Sequence, residues 1–266
     1  MYKNTLPVQR RAEILNHLKK NQFIRNSLLC EILNVSEATI RRDLEAMEKE
    51  GLVERTHGGA VFSHHMKLEP TYESSSEFHY EEKDAIGEAT AKLLSSGDTV
   101  FINFGTTNTQ VAKHLKKRND LEDVTIITNN INVLFELQNS PGFNIILLGG
   151  NYRNHSHSSV GMITMRSLEG LHANKAIIGV DGISYKFGCT TPVETDAEIS
   201  QKMIENTNGQ LFIVADSSKW GVVSNYRVAP LIKISTLITD INFPIEAIKL
   251  LQNVSVDVIV ANPAQI

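Results

Sequence analysis

Residues 36–51 read "SEATIRRDLEAMEKEG", two adjacent arginines near the start of a helix and acids gathered toward its end. Ser36 is a good helix cap, Glu37 sits where the helix dipole favours an acid, and Gly51 is a natural stop. With Ile40 at the centre of the inward face, Leu44 and Met47 fall within about 40° of it at roughly 100° per residue. Ala38 and Arg42 then point the opposite way, with Thr39 and Arg41 on the flanks. The exposed tip is Ser36, Ala38, Thr39, Arg41 and Arg42: small residues that allow close approach, and cations for phosphate or guanine. Glu45, Glu48 and Glu50 repel phosphate. The helix is therefore polarised to enter a nucleic-acid groove by its N-terminal end, as helix-turn-helix recognition helices do.

The flanking residues support that reading. Pro7 starts a helix over "VQRRAEILNHLKKN", Ser27 is placed to cap "LLCEILN", and Asn34-Val35 makes the short turn to Ser36. "LVER" and "AVF" read as strands around the turn "THGG", a hairpin wing in which Arg55 and His57 touch the DNA backbone or minor groove. Gly58 and Gly59 let that turn come close. Arg42 is assigned to a base edge, because arginine pairs bidentately with guanine. Arg41 is assigned to a phosphate, and Thr39 suits either. An isolated arginine pair is usually a solvated helix face; the turn, cap and wing together reverse that judgement.

At 266 residues with 41% apolar side chains, the chain is long enough for two cored domains. Its net charge of −4 hides an asymmetry: residues 1–62 carry 10 Lys+Arg against 8 Asp+Glu, the rest 16 against 22. A mildly basic head on an acidic body results. Cys30 and Cys189 lie far apart and read as small apolar fillers, without a disulfide framework or metal knuckle. The first residues lack the apolar core of a signal peptide, and no apolar run approaches membrane-spanning length, so the expected location is cytoplasmic. The division expected is 1–62 as a winged helix-turn-helix domain, 63–80 as a polar linker with Pro70 and a serine run, and 81–266 as a second domain.

In the second domain, "DTVFINF", "VTIITN", "FNIILLGG", "KAIIGVDG", "QLFIVADSS", "TLITD" and "VDVIVA" are short apolar strands, several separated by helical patterns. That alternation predicts an α/β fold, a mostly parallel sheet covered by helices. Three strand ends carry candidate anion contacts. Gly105, Thr106 and Thr107 open a helix with free N–H groups and hydroxyls. Asp181-Gly182 offers an acid for sugar hydroxyls, although capping a turn is the plainer role. Lys219, in "ADSSKW" after Asp216, is placed to pair with phosphate. Ligands of parallel sheets sit beyond the carboxyl ends of strands, where all three clusters fall. His155, His157 and the pair His64-His65 lack nearby ligands at metal spacing and read as loop residues. Neither a dinucleotide fingerprint, a P-loop nor a nucleophile elbow occurs. No catalytic residue, metal or cofactor is expected.

"VSEATIRRDLEAMEKEGLVERTHGGAV" resembles the N-terminal signature of the DeoR family of bacterial transcriptional regulators, V-S-x-x-T-I-R-R-D-L followed by R-x-H-G-G-A. The resemblance continues through most of the chain. It implies a winged helix-turn-helix joined to a sugar-phosphate-sensing domain, similar in fold to ribose-5-phosphate isomerases and CoA transferases. The family's glycine-threonine loop usually follows an aspartate; here that position is Asn103. "LLGGNYRNHSHSSVG" matches the family's G-G-x-x-R run, leaving Arg153 open to a pocket or a structural role. The expected protein is a repressor of a carbohydrate operon, homo-oligomeric, with double-stranded operator DNA and a phosphorylated sugar as partners and no membrane. The rival is an isomerase fused to a DNA-binding head. Against it, Glu194, Asp196 and Glu198 read as the polar first turn of a helix rather than a catalytic base.

Overall fold

The computed structural model describes residues 6–21, 23–49, 52–56, 58–62, 64–65 and 71–262. The head comprises α1 (Pro7–Asn21), β1 (Phe23–Arg25), α2 (Asn26–Leu33), α3 (Glu37–Lys49), β2 (Val53–Arg55) and β3 (Gly59–Phe62). Ile14, Leu18, Leu29, Ile40, Leu44 and Met47 close its core. Asn34 takes the left-handed conformation that ends α2, and the Thr39 N–H donates to Ser36 Oγ at 3.3 Å, so turn and cap are as expected. Two features differ. The helix α2 starts at Asn26, after Arg25, so Ser27 lies inside its first turn and does not cap it. A third strand, β1, pairs antiparallel with β3, so the wing is a three-stranded sheet in the order β1-β3-β2. Gly51, His57 and Glu50 lie outside the described residues.

An acid holds this small core together. Asp43 is buried on the inner side of α3 and accepts hydrogen bonds from Arg10 Nε and, at 3.4 Å, from Arg11 Nε, both on α1. Arg10 is itself 8% exposed.

Residues 64–65 and 71–79, expected in the polar linker, make contacts with the body. The strand β4 (His64–His65) is followed by α4 (Tyr72–Glu77), capped by Thr71. The body runs α5 (Tyr80–Ala91), β5 (Thr99–Ile102), α6 (Thr106–Leu115), β6 (Val124–Thr128), α7 (Ile131–Leu137), β7 (Phe143–Leu147), β8 (Asn151–Arg153), β9 (Ser158–Val160), α8 (Met162–Ser167) and β10 (Ala173–Gly179). It continues with β11 (Gly182–Ser184), β12 (Gly188–Thr191), α9 (Glu194–Glu205), β13 (Thr207–Val214), β14 (Val222–Val223), β15 (Tyr226–Ala229), β16 (Thr236–Asp240), α10 (Ile245–Gln252) and β17 (Asp257–Ala261).

All seven strands expected from their apolar runs form one parallel sheet in the order β17-β16-β13-β10-β5-β6-β7. One face is covered by α5, α6 and α7 around Ile86, Val111 and Leu115; the other by α8, α9 and α10 around Ile199, Met203 and Leu251. The winding direction reverses between β5 and β10, and a crevice opens beyond the strand ends at such a reversal.

Asp43→Ala removes the carboxylate that Arg10 faces and is expected to weaken the head by about 3 kcal/mol, the usual cost of orphaning a buried charge. Amide hydrogen exchange in α1 and α3 reads this directly; unchanged protection there would show that the pair contributes nothing.

Candidate DNA-contacting face and anion pocket

The tip of α3 presents Ser36, Ala38, Arg41 and Arg42 to solvent, with Thr39 half-buried. Ser36 and Thr39 hydroxyls lie 2.9 Å apart. Arg41 is held at 2.8 Å by Glu37 one turn earlier, whereas Arg42 has no side-chain partner among the described residues. Beside the tip, Arg41 and Arg55 line one surface depression with Asn26 and Thr56. Asn26 Oδ1 and Thr56 Oγ1 are buried there without hydrogen-bond partners among the described residues. Neither residue stood out in the sequence; only the fold brings the first residue of α2 beside the wing. The acids of α3 have a second use. Glu45 pairs with Arg55 at 3.0 Å, and Glu48 accepts the Arg55 N–H at 3.3 Å, so the acidic half of the helix seats the wing.

The three body clusters follow β5, β10 and β13, which are neighbours in the sheet. Gly105, Thr106, Thr107, Asp181 and Lys219 line one cleft of about 590 Å³, including its open mouth. Gly105 has φ 113°, open to glycine and strained for other residues, and it lets α6 begin abruptly with the Thr106 and Thr107 N–H groups at its free end. Gly182 is not part of the lining. An added Cβ there would lie 2.4 Å from the Val222 carbonyl, so close strand packing, not a ligand, requires the glycine. Asp181 accepts a hydrogen bond from Thr191 Oγ1 at 2.7 Å, and Asp216 caps the turn Ser217–Lys219 through the Ser218 N–H.

The opposite wall comes from residues the sequence reading left out. Tyr72 and Ser75 of α4, His155 and Ser156 of the β8–β9 loop, and Lys83 of α5 complete the cleft. Lys83 is 4% exposed and donates to the carbonyls of Ser75 and, at 2.7 Å, Phe78. An ammonium has three donors, which leaves one for the cleft. Burial pulls its pKa down to about 8, opposed by the charge of Asp216 and reinforced by that of Lys219. Lys83 escaped notice because "YEEKDAIGEA" reads as an ordinary solvated helix start; its burial follows from α4 folding over it. His157, read as a loop residue, stacks on Tyr72 with centroids 4.5 Å apart and meets Glu73 at 3.0 Å, clamping α4 to the body.

Asn103 lies beneath the cleft, fully buried. Its Nδ2 donates to the Gly179 carbonyl at 3.1 Å and to Ser200 Oγ at 2.9 Å. Its Oδ1 accepts from the Gly179 N–H at 2.8 Å and from Asn108 Nδ2 at 2.6 Å. Arg153 faces the buried Asp196 at 3.4 Å and Ser156 Oγ at 3.1 Å and does not line the cleft, which assigns it the structural role.

A polarised helix with a wing, mounted on a parallel sheet with a cationic strand-end cleft, defines a ligand-responsive DNA-binding regulator. Residues 10–66 match the DeoR-like helix-turn-helix domain and residues 78–241 the DeoR C terminal sensor domain. The chain belongs to the DeoR family of transcriptional regulators. It is 37% identical to the HTH-type transcriptional repressor GlcR of Bacillus subtilis, over 87% of this chain and 88% of that one. It is 30% identical to a putative aga operon transcriptional repressor of Escherichia coli O157:H7, over 94% and 93%. The lactose phosphotransferase system repressor of Lactococcus lactis is 32% identical, over 87% and 90%. Among solved structures, a D-ribose-5-phosphate isomerase in complex with phospho-erythronic acid overlaps 53% of the chain at 12% identity and a TM-score of 0.40, too remote to bear on chemistry.

Asn103→Asp loses two donated hydrogen bonds and sets a carboxylate against the Gly179 carbonyl. The expected cost is about 2–4 kcal/mol at pH 7 in urea unfolding. Burial raises the pKa of such an acid, so the loss grows as pH rises and shrinks toward pH 4; a pH-independent loss would point to packing alone.

Proposed function

We propose that this regulator represses a carbohydrate-metabolism operon and that a phosphorylated sugar or related metabolite in the body cleft controls it. The observation that carries this reading is the pair Lys83 and Lys219 facing one cleft at the N-terminus of α6. Two ammonium groups that repel one another, beside free helix N–H groups, suit a dianion. Asp181 is left to receive sugar hydroxyls. It is the one carboxylate among the described lining residues, and Thr191 already occupies one of its oxygens, which favours a silent pocket over an isomerase. Two relatives, repressors of aga and lactose systems, agree with sugar control.

In this reading residues 1–62 are the DNA-binding domain, 63–80 the connection and 81–266 the sensor, and the protein works in the cytoplasm. Among the described residues no helix is long and apolar enough to cross a membrane. Two copies place two α3 tips on repeated or palindromic half-sites. Ser36, Ala38, Thr39 and Arg42 meet the groove; Arg41 and Arg55 exchange Glu37 and Glu45 for phosphates. His57 belongs to the same wing by its sequence position. The metabolite acts by binding more tightly to one arrangement of the heads than to the other.

Arg42→Ala is expected to cost about 1–3 kcal/mol on operator and little on random DNA, while Arg41→Ala weakens both about equally. Equal losses for both variants would remove Arg42 from base readout.

Lys219→Ala should keep DNA affinity and abolish the response to sugar phosphates, screened by ligand-observed NMR; product resonances in that screen would make the body an enzyme. The cleft needs Lys83 protonated, so sugar-phosphate affinity is full below pH 8 and falls above it, by up to about tenfold per unit. Titration calorimetry across pH 7 to 9.5 checks the sign.

A further inference from the structure

We propose that Glu54 is the pin through which occupancy of the anion cleft reaches the DNA-contacting head, a step that rests on the cleft binding a phosphorylated metabolite. Glu54 lies on β2, beside Arg55 of the wing. Successive side chains of a strand point to opposite faces. Arg55 accordingly turns to Glu45 and the DNA-side depression, whereas Glu54 turns into the body and is 2% exposed. Its carboxylate accepts a hydrogen bond from Ser184 Oγ at 2.5 Å and another from the Lys186 N–H at 3.3 Å. Ser184 Oγ in turn accepts the Phe187 N–H at 2.9 Å, so a residue of the head organises the turn between β11 and β12.

That turn belongs to the cleft. Gly182–Ser184 follows Asp181 directly, which leaves about 10 Å of extended chain between the cleft acid and the Glu54 contact. The second charged wall leads to the same place. Lys219 is followed by the buried Trp220, then by β14, which pairs in parallel with β4 of the connection. The two routes are joined where the Gly221 N–H donates to the Ile183 carbonyl at 2.8 Å. Val61 of β3 packs into the body's own core beside these strands.

A buried carboxylate cannot give up its donors gradually. Unpaired, it bears the full cost of desolvation, so the contact is made or broken as a unit. Such a contact is a bistable element of the kind that coupling between sites requires. Two ion pairs also join head and body among the described residues, Arg25 with Glu246 at 2.5 Å and Glu48 with Lys186 at 3.8 Å; both cations are largely exposed and offer little of this behaviour.

Hydrogen exchange on the full chain tests the proposal, with glucose 6-phosphate, fructose 6-phosphate and ribose 5-phosphate as probes. In the wild type, a sugar phosphate that protects residues 104–107 should also change exchange in β2 and β3 by at least about fivefold, the lower end of usual coupling strengths. Glu54→Gln, which keeps the shape of the side chain, and Ser184→Ala, made on the body side, should each keep the response at 104–107 and lose it in β2 and β3. Arg25→Ala should keep both. Undiminished transmission in Glu54→Gln and Ser184→Ala overturns the assignment. Absence of any response at 104–107 in the wild type overturns the cleft reading, and the coupling falls with it.

Discussion

The carboxamide of Asn103 fastens the carboxyl ends of β5 and β10, and the functional geometry of the body depends on it. Parallel strands on either side of a reversal have helices leaving in different directions, and the β5–β10 ladder ends at Ile102 and Ile177 with a long 3.4 Å bond from the Asn103 N–H to the Ile177 carbonyl. Here one side chain supplies two donors and an acceptor across the gap, reaching the Gly179 N–H and carbonyl together with Ser200 of α9 and Asn108 of α6. An amide meets both the N–H and the carbonyl of Gly179 at neutral pH, where a carboxylate can only accept. The Gly105 turn and the Asp181 strand end are thereby fixed relative to one another without spending a charge, and the cleft's charge is left to the two lysines. With Asn103 in place of the family's usual aspartate, every polar atom of this side chain is engaged in bracing the two strand ends.

The head solves a different problem with the same economy of parts. A recognition helix with an acidic C-terminal half repels DNA where contact is unwanted, but unpaired acids would also repel one another. Glu45 and Glu48 meet Arg55 and the backbone of the wing, and Glu48 lies 3.8 Å from Lys186 of the body. The polarity of α3 therefore both orients the helix toward DNA and seats the sheet beside it.

The frame was legible from sequence where a strong local signal coincided with its structural cause. The five inner sheet strands are short apolar runs because they are largely buried between the two helical layers, and the partly exposed edge strands β7 and β17 share the pattern. Ser36 and the thirteen residues of α3 together carry a cap, an apolar face and two exposed arginines. The glycine-threonine turn, Asp181 and Lys219 come together in one cleft because they follow neighbouring strands of the sheet. The misses have a common origin. Lys83 and Tyr72 look like solvent-facing residues and gain their places only when α4 folds back against α6 and the β8–β9 loop. Asn26 and Thr56 come together only through the packing of α2 against the wing. Strands of two to four residues such as β1, β4 and β14 exist by pairing with distant partners and have no period to read. Gly182, expected at the effector site, packs against the Val222 carbonyl; a glycine after an aspartate at a strand end looks the same whether a ligand or a carbonyl crowds it.

One wall of the cleft is α4, which lies in the connection, on the head's side of the body's first long helix. Tyr72 and Ser75 border the cleft, and the Tyr72 hydroxyl bonds Thr109 of α6 at 2.8 Å. The structural unit that encloses the cleft therefore begins near residue 71. A new head spliced on at residue 81 would inherit a sheet with half a pocket, whereas one joined ahead of Thr71 would inherit the complete receptor. An exchange of heads between such regulators leaves the cleft whole only where this short helix travels with the body.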